Sequence, residues 1–435
     1  MNKRILKIAI PNIISNITIP LLGVVDLALM GHLGEVDFIG AIALGGIIFN
    51  FLYWGFAFLR MGTTGITAQA YGARNLSETI LSLSRALLVA LIGSTCILLL
   101  QVPIAELSFY FIDSEESVES IAKSYYYIRV WAAPATISLY AFTGWFIGMQ
   151  NSKIPMIIAI VSNIVNISLS SYFVYGLNMD ARGVALGTVI AQYCGLFIAM
   201  FFVLRFYRRL FHYWSRKGMM KISELKNFIA INKDIFIRTL CIIFVFTFFT
   251  TESASNNKTI LAVNSLLLQF LFIFSYFMDG FAFAAEALVG KFIGANNENG
   301  LKKVIRLLFL WGIGISLAFT VFYGTTSNLI LSALTNSEAT ILEAQAYLKW
   351  IILLPILSFT SFLMDGIFIG ATASVYMRKT MMAATLFVFI PFYYILSDYY
   401  QNHGLWIAML GFMLARGVFQ AIYYKKAILL RFNSI

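Results

Sequence analysis

AYGARN, residues 70–75, returns as FIGANN at residues 292–297, which aligns Gly72 and Ala73 with Gly294 and Ala295. WFIGMQ (145–150) returns as IFIGAT (367–372) at the same interval, aligning Gly148 with Gly370. Pro134 finds Pro355, and Gly183 of RGVALG finds Gly404 of HGLWIA, each one residue short of that interval. No single match is specific, but one offset of about 222 residues held at four places marks a duplicated chain, of the kind built from internal repeats.

Each copy is membrane-like. Of 435 residues, 60% are hydrophobic and 12% charged, against about 25% charged in soluble domains. Apolar runs of span length fall at 8–31, 38–62, 78–101, 120–148, 153–176, 182–206, 234–252, 258–288, 302–325, 340–370, 376–397 and 402–424. The expected fold is all-α: a polytopic membrane protein with twelve transmembrane helices in two pseudo-symmetric six-helix lobes. Six spans per copy leave both copies facing the same way, as parallel repeats about an axis along the membrane normal. The lobes are expected at 1–207 and 233–435, joined by a basic linker at 208–232. Met1-Asn-Lys-Arg runs into the first span with no small-residue cleavage site, so that span is expected to stay in the mature protein.

The net charge of +11 is orientation rather than nucleic-acid binding. Lys3, Arg4 and Lys7 precede the first span, and Arg208, Arg209, Arg216, Lys217, Lys221 and Lys226 follow the sixth. Lys425, Lys426 and Arg431 follow the twelfth. The alternate breaks are poor in Lys and Arg, so the positive-inside rule puts both termini in the cytoplasm. The linker RFYRRLFHYWSRKGMMKISELKNF (205–228) reads as a basic loop, with an amphipathic interfacial segment as the alternative. Cys96, Cys194 and Cys241 lie in separate apolar runs and read as small core residues, outside any disulfide or metal framework.

Polar groups at membrane depth are the candidate site, since intramembrane ionisable residues default to functional readings. In TIPLLGVVDLALMGHLGE (18–35), Asp26 lies well inside the first span, and Pro20 removes an amide one to two turns before it, a point for the helix to bend. The alternative is that Asp26 satisfies backbone freed by Pro11 and Pro20. Asn163, Asn166 and Ser170 share one face of the fifth span, and Thr188 and Gln192 are one turn apart in the sixth. In the second half, Asp279 and Glu286 share a face of the eighth span and Asp365 lies in the tenth. Arg60, Arg238 and Arg416 are candidate partners for these acids, and Arg60, Asn163 and Gln192 are candidate cleft residues. Arg129 and Glu252 near span ends read as snorkelling side chains.

In order and spacing, VVDLALMGHLG (24–34), NKDIFIRTL (232–240), DGFAFAAEALVGKFIGA (279–295), LMDGIFIGAT (363–372) and NHGLWIAM (402–409) resemble the DinF-like branch of the MATE (multidrug and toxic compound extrusion) transporters. The resemblance implies two six-helix lobes around a central cleft, and export of amphipathic, often cationic compounds in exchange for H⁺ or Na⁺. It also implies that Asp26 is the first-helix acid of cation coupling, that Asp365 is an acid common in the tenth helix, and that Asp279 and Glu286 match the branch's eighth helix. One departure is that the family's Asn-x-x-x-Asp of the fifth helix reads Asn166-Ile-Ser-Leu-Ser170 here. A Na⁺ site keeping Asp26, Asn166 and Thr188 would lose one charge at Ser170. Hard-cation affinity rises with ligand charge, so H⁺ is favoured as the coupling ion, with Na⁺ at Asp26 the alternative.

The expected function is therefore cation-coupled secondary antiport of small molecules by alternating access, at the cell (inner) membrane. The chain is expected to act as a monomer in the lipid bilayer, without cofactor, nucleic acid or obligatory protein partner. A flippase for a lipid-linked precursor is the alternative; its phosphate would require cleft-facing Arg or Lys. Enzyme signatures such as HExxH, GxSxG or a P-loop do not occur.

Overall fold

A computed structural model describes residues 1–31, 36–111 and 115–432; within these, the side chains of 26–31 and of Ile19, Leu21, Leu22, Val24, Val36, Asn256, Leu430 and Arg431 are outside the description. Among the described residues no strand forms. Long apolar segments become helices because hydrocarbon offers backbone groups no partner outside their own segment. Among the described residues, eleven helices, single or joined end to end, are long and apolar enough to cross a membrane, from Asp37–Gly72 to Asn402–Ala427. They fall on the second to twelfth apolar runs, and the first run lies in a 30-residue helix, α1 (Asn2–Gly31).

The chain divides into two compact units, Ile14–Ile229 and Met1–Ile13 with Ala230–Ile435. The division falls inside α1, between Pro11 and Pro20, and the helix continues through both prolines. The first unit continues with α2 (Val36–Trp54), α3 (Ala57–Gly72), α4 (Leu76–Leu99), α5 (Gln101–Phe111), α6 (Glu116–Arg129), α7 (Ala133–Gly148), α8 (Lys153–Ser171), α9 (Asp180–Phe206) and the short α10 (Arg216–Met219). α11 (Ile222–Asn256) leads into the second unit, followed by α12 (Lys258–Gly294), α13 (Glu298–Leu334), α14 (Glu338–Gln345), α15 (Leu348–Gly370), α16 (Ser374–Ala384), α17 (Ile390–Tyr400) and α18 (Asn402–Ala427). Several boundaries differ from the apolar pattern. Helix α11 starts well before its apolar run, and run 340–370 is two helices, α14 being capped by Ser337. Cys96 is exposed rather than in the core.

The repeat is a repeat of backbone geometry. α3 ends with Ala73 donating to the Gln69 carbonyl and Asn75 to that of Ala70, both at 2.9 Å, with Arg74 left-handed between them at φ 55°. In the other copy, α12 ends with Ala295 donating to Lys291 (3.0 Å) and Asn297 to Phe292 (2.9 Å), around Asn296 at φ 49°. These reversed turns satisfy carbonyls that a helix end would orphan. The two asparagines then cap the next helix: Asn75 Oδ1 accepts from the Glu78 amide (2.9 Å), and Asn297 Oδ1 from the Gly300 amide (2.7 Å).

Helix approach repeats as well. A Cβ on Gly144 of α7 would sit 2.3 Å from the Arg60 carbonyl oxygen of α3; one on Gly366 of α15 would sit 2.3 Å from that of Ala282 in α12. One turn on, a Cβ on Gly148 would meet the Thr64 carbonyl at 2.9 Å, and one on Gly370 that of Glu286 at 2.5 Å. Both units thus seat one helix backbone directly on another. Thr64 and Glu286 hold equivalent places, so the second unit carries a carboxylate where the first carries a hydroxyl.

Candidate coupling site

Within the first unit, α8 presents a polar row, Ser162, Asn166 and Ser170, spaced by one turn each and all buried. Asn166 Nδ2 donates to Thr188 Oγ1 of α9 at 2.9 Å, and that hydroxyl donates in turn to the Val184 carbonyl at 2.9 Å. Gly187 permits this approach, since a Cβ there would stand 2.5 Å from Ser170 Oγ and 2.9 Å from its amide nitrogen. Asn163, on the adjoining face, donates through Nδ2 to the Thr18 carbonyl at 3.0 Å and ties α8 to α1. Gln192 is half-buried one turn beyond Thr188. The Asp26 side chain lies outside the described residues, but its helix is brought to this row two turns earlier, at Thr18.

The row is rich in unused oxygen. Asn166 Oδ1, Ser170 Oγ and Ser162 Oγ are buried and accept no hydrogen bond from the described residues. Native interiors leave few such atoms, and an unmet buried acceptor costs about 1–3 kcal/mol. Neutral oxygens of this kind can accept a proton donor or help ligate a cation. Pro20 lies between the Thr18 contact and Asp26, and α1 stays helical across it.

The acids of the second unit are differently placed. Asp365 of α15 is buried; Arg238 of α11 donates to its Oδ2, Arg416 of α18 donates to the same oxygen at 2.5 Å, and Gln420 Nε2 donates to Oδ1 at 2.7 Å. Two guanidiniums and an amide therefore converge on one carboxylate and join three helices. Asp279 is half-buried within electrostatic reach of Arg416, and Glu286 is buried at the Gly370 crossing. Both make further contacts within the protein. A second ion pair joins α11 to α16: Arg378 lies 2.7 Å from Asp234 Oδ1, and Ser374 Oγ donates to Oδ2 at 2.9 Å.

Arg60 of α3 is half-buried and acts electrostatically on Tyr140. Arg129 is no snorkelling cation: its guanidinium lies 5.0 Å from the Phe49 ring centroid and 5.4 Å from that of Tyr125, whose hydroxyl accepts from it. Glu252 likewise accepts from the Tyr393 hydroxyl at 2.5 Å. Asp234, Ser374, Arg378 and Gln420 do not stand out in the sequence as a site. The available signal is helical spacing: Asp234 with Arg238, and Arg416 with Gln420, each pair one turn apart on its helix.

The MatE family model matches residues 11–172 and 235–395. DNA damage-inducible protein F of Escherichia coli (strain K12) is 36% identical over 429 residues, 98% of this chain and 92% of that protein. The probable multidrug resistance protein NorM of Thermotoga maritima is 23% identical over 455 residues, 99% of this chain and 95% of that one. In fold, a crystal structure of MATE in the bent conformation matches with a TM-score of 0.87 at 18% identity, covering 100% of this chain and 96% of the other.

Proposed function

Because the chain belongs to the MatE family of membrane transporters, we propose that it is a cation-coupled secondary antiporter. In this reading it exports amphipathic, often cationic small molecules by alternating access, with H⁺ rather than Na⁺ as the coupling ion. The observation that carries it is the contrast between the two units. The polar row of α8 keeps oxygens with no partner among the described residues, beside the helix of Asp26, whereas Asp365 already accepts from two arginines and a glutamine.

Asp26 is the proposed coupling group, with Asn166, Ser170 and Thr188 as its polar surroundings. When the site faces the cytoplasm, ionised Asp26 attracts a cationic substrate. Exposure to the outside admits a proton, which removes that charge and weakens the site. An ionisable group at membrane depth is a candidate proton carrier, so a carboxyl there can exchange a proton between two conformations. Helix α1 belongs to both compact units and lacks amides at Pro11 and Pro20. A change in charge at Asp26 thus acts on a helix with residues in both units. Ser170, neutral where a second carboxylate would serve Na⁺, supports the proton.

The flippase reading finds less support. Of Arg60, Arg238 and Arg416, the cations a phosphate could use, the last two are engaged by Asp365, which leaves half-buried Arg60 of α3. The proposal further places the protein in the cell (inner) membrane as a monomer, both termini cytoplasmic, working without a cofactor. Its test is efflux of a fluorescent lipophilic cation from proteoliposomes under an imposed pH or Na⁺ gradient, comparing the wild type with Asp26→Asn. A proton gradient alone should drive wild-type efflux, and the folded variant should lose that drive. Equal transport by the variant, or drive by Na⁺ alone, overturns the reading.

A further inference from the structure

The segment between α9 and α11 is held in place rather than looping free. Arg85 of α4 is buried, and its guanidinium donates to the Gly218 carbonyl at 2.9 Å and the Met219 carbonyl at 3.4 Å while pairing with Glu78. Trp214 Nε1 donates to Ser84 Oγ at 3.0 Å, and Ser77 Oγ donates to the Tyr213 carbonyl at 3.1 Å. On the inner side Leu210 is buried, and Tyr207 packs edge-on against Trp145 with ring centroids 5.0 Å apart. A buried arginine spent on two backbone carbonyls fixes the path of residues 207–219 on the first unit.

What this strap turns outward is one-signed. Arg208, Arg209, Arg216, Lys217 and Lys221 are all exposed, and Glu224, 3.1 Å from Lys221, is the only acid between residues 205 and 228. Phe211, Tyr213 and Trp214 are exposed among them at 44%, 46% and 42%. The position is equally marked. Phe197, Phe201 and Leu204 form an exposed apolar stripe down one face of the membrane span α9, and the basic residues begin where that stripe ends. Cations and half-exposed aromatic rings at the end of a lipid-facing helix sit at headgroup depth.

We infer that residues 205–221 form a fixed binding surface for anionic phospholipid headgroups. The charges select the headgroup phosphate, and the aromatic side chains enter the interface beside them. This goes beyond the transport reading, and it stands or falls separately from the identity of the coupling ion. The pinned backbone matters because a surface whose shape is already set loses little ordering entropy when lipid binds.

The test compares the full-length wild type with Arg208→Gln/Arg209→Gln/Arg216→Gln/Lys217→Gln in two nanodisc compositions. One is phosphatidylcholine alone, the other equal parts phosphatidylcholine and phosphatidylglycerol. Hydrogen exchange of amides 205–221 is the readout. All four substituted side chains are exposed, so the variant should fold, and exchange in α12 and α15 serves as the internal measure that it has. Phosphatidylglycerol should slow wild-type exchange in this segment by about tenfold or more, a modest share of what several surface cations can draw from anionic lipid. The variant should show no difference between discs. A charge-keeping variant, Arg208→Lys/Arg209→Lys/Arg216→Lys, should keep the slowing. Equal wild-type exchange in both discs, or slowing that survives in the glutamine variant, overturns the inference.

Discussion

Replacing Asp365 with Asn separates a structural carboxylate from a coupling one. The substitution keeps shape and removes the charge that Arg238 and Arg416 share, at a site where all three side chains are at most 9% exposed. Breaking a buried ion pair by removing one partner costs about 3–5 kcal/mol. Arg416 keeps the electrostatic influence of Asp279, and Asn still offers one oxygen, which places the expected loss near about 3 kcal/mol. For a unit of this size that lowers the apparent Tm by on the order of 10 °C. The assay is thermal unfolding of the detergent-solubilised protein, followed by tryptophan emission, alongside proton-driven efflux at a temperature where the variant is still folded. Efflux per folded molecule should fall little, and its dependence on the pH gradient should not change. The triple replacement Arg238→Met/Asp365→Leu/Arg416→Met should recover most of the lost stability, because it removes the uncompensated charges together. If Asp365→Asn instead unfolds like the wild type yet no longer responds to the proton gradient, the counter-ion reasoning is wrong and Asp365 takes part in coupling.

Ser170→Ala should leave stability within about 1 kcal/mol, since it deletes a buried hydroxyl that has no partner among the described residues; the same variant should weaken proton-driven efflux, and full efflux would remove Ser170 from the site. Gly144→Ala and Gly366→Ala should be destabilising to a similar degree, by about 1–3 kcal/mol or more. A large difference between their unfolding temperatures would show that the two crossings are not equivalent. Arg85→Met should free the strap at residues 207–219. Losing hydrogen bonds from a charged donor, about 1.5–3 kcal/mol, should speed limited trypsin cleavage at Arg208, Arg209 or Lys217 roughly ten- to a hundredfold where cleavage follows local opening. An unchanged cleavage rate would mean that Arg85 does not hold the segment.

Much of this protein is legible in its sequence because the membrane makes the code simple. Spans of apolar residues must be helices, and their number and flanking charges follow from the same constraint. The duplicated glycines are legible for a related reason. Gly148 and Gly370 recur because a backbone carbonyl lies where a Cβ would be, which is a property of the helix crossing each copy must make. The row Asn163, Asn166 and Ser170 could also be placed on one helix by spacing alone.

What spacing cannot give is the partner of each charge. Asp365 and Asp26 look alike in the sequence, each a lone acid in an apolar helix. Only the packing of α11 and α18 against α15 brings Arg238, from 127 residues away, and Arg416, from 51 residues away, onto the same oxygen of Asp365. The same holds for Asp234 with Arg378 and Ser374, for Arg129 between two rings, and for the basic segment at 205–221. Its charges are plain in the sequence, but Arg85, more than 130 residues distant, fixes it. Local pattern follows from the solvent each residue must face, so the sequence determines it. Charge pairing depends on which distant helices meet, and only the tertiary structure decides that.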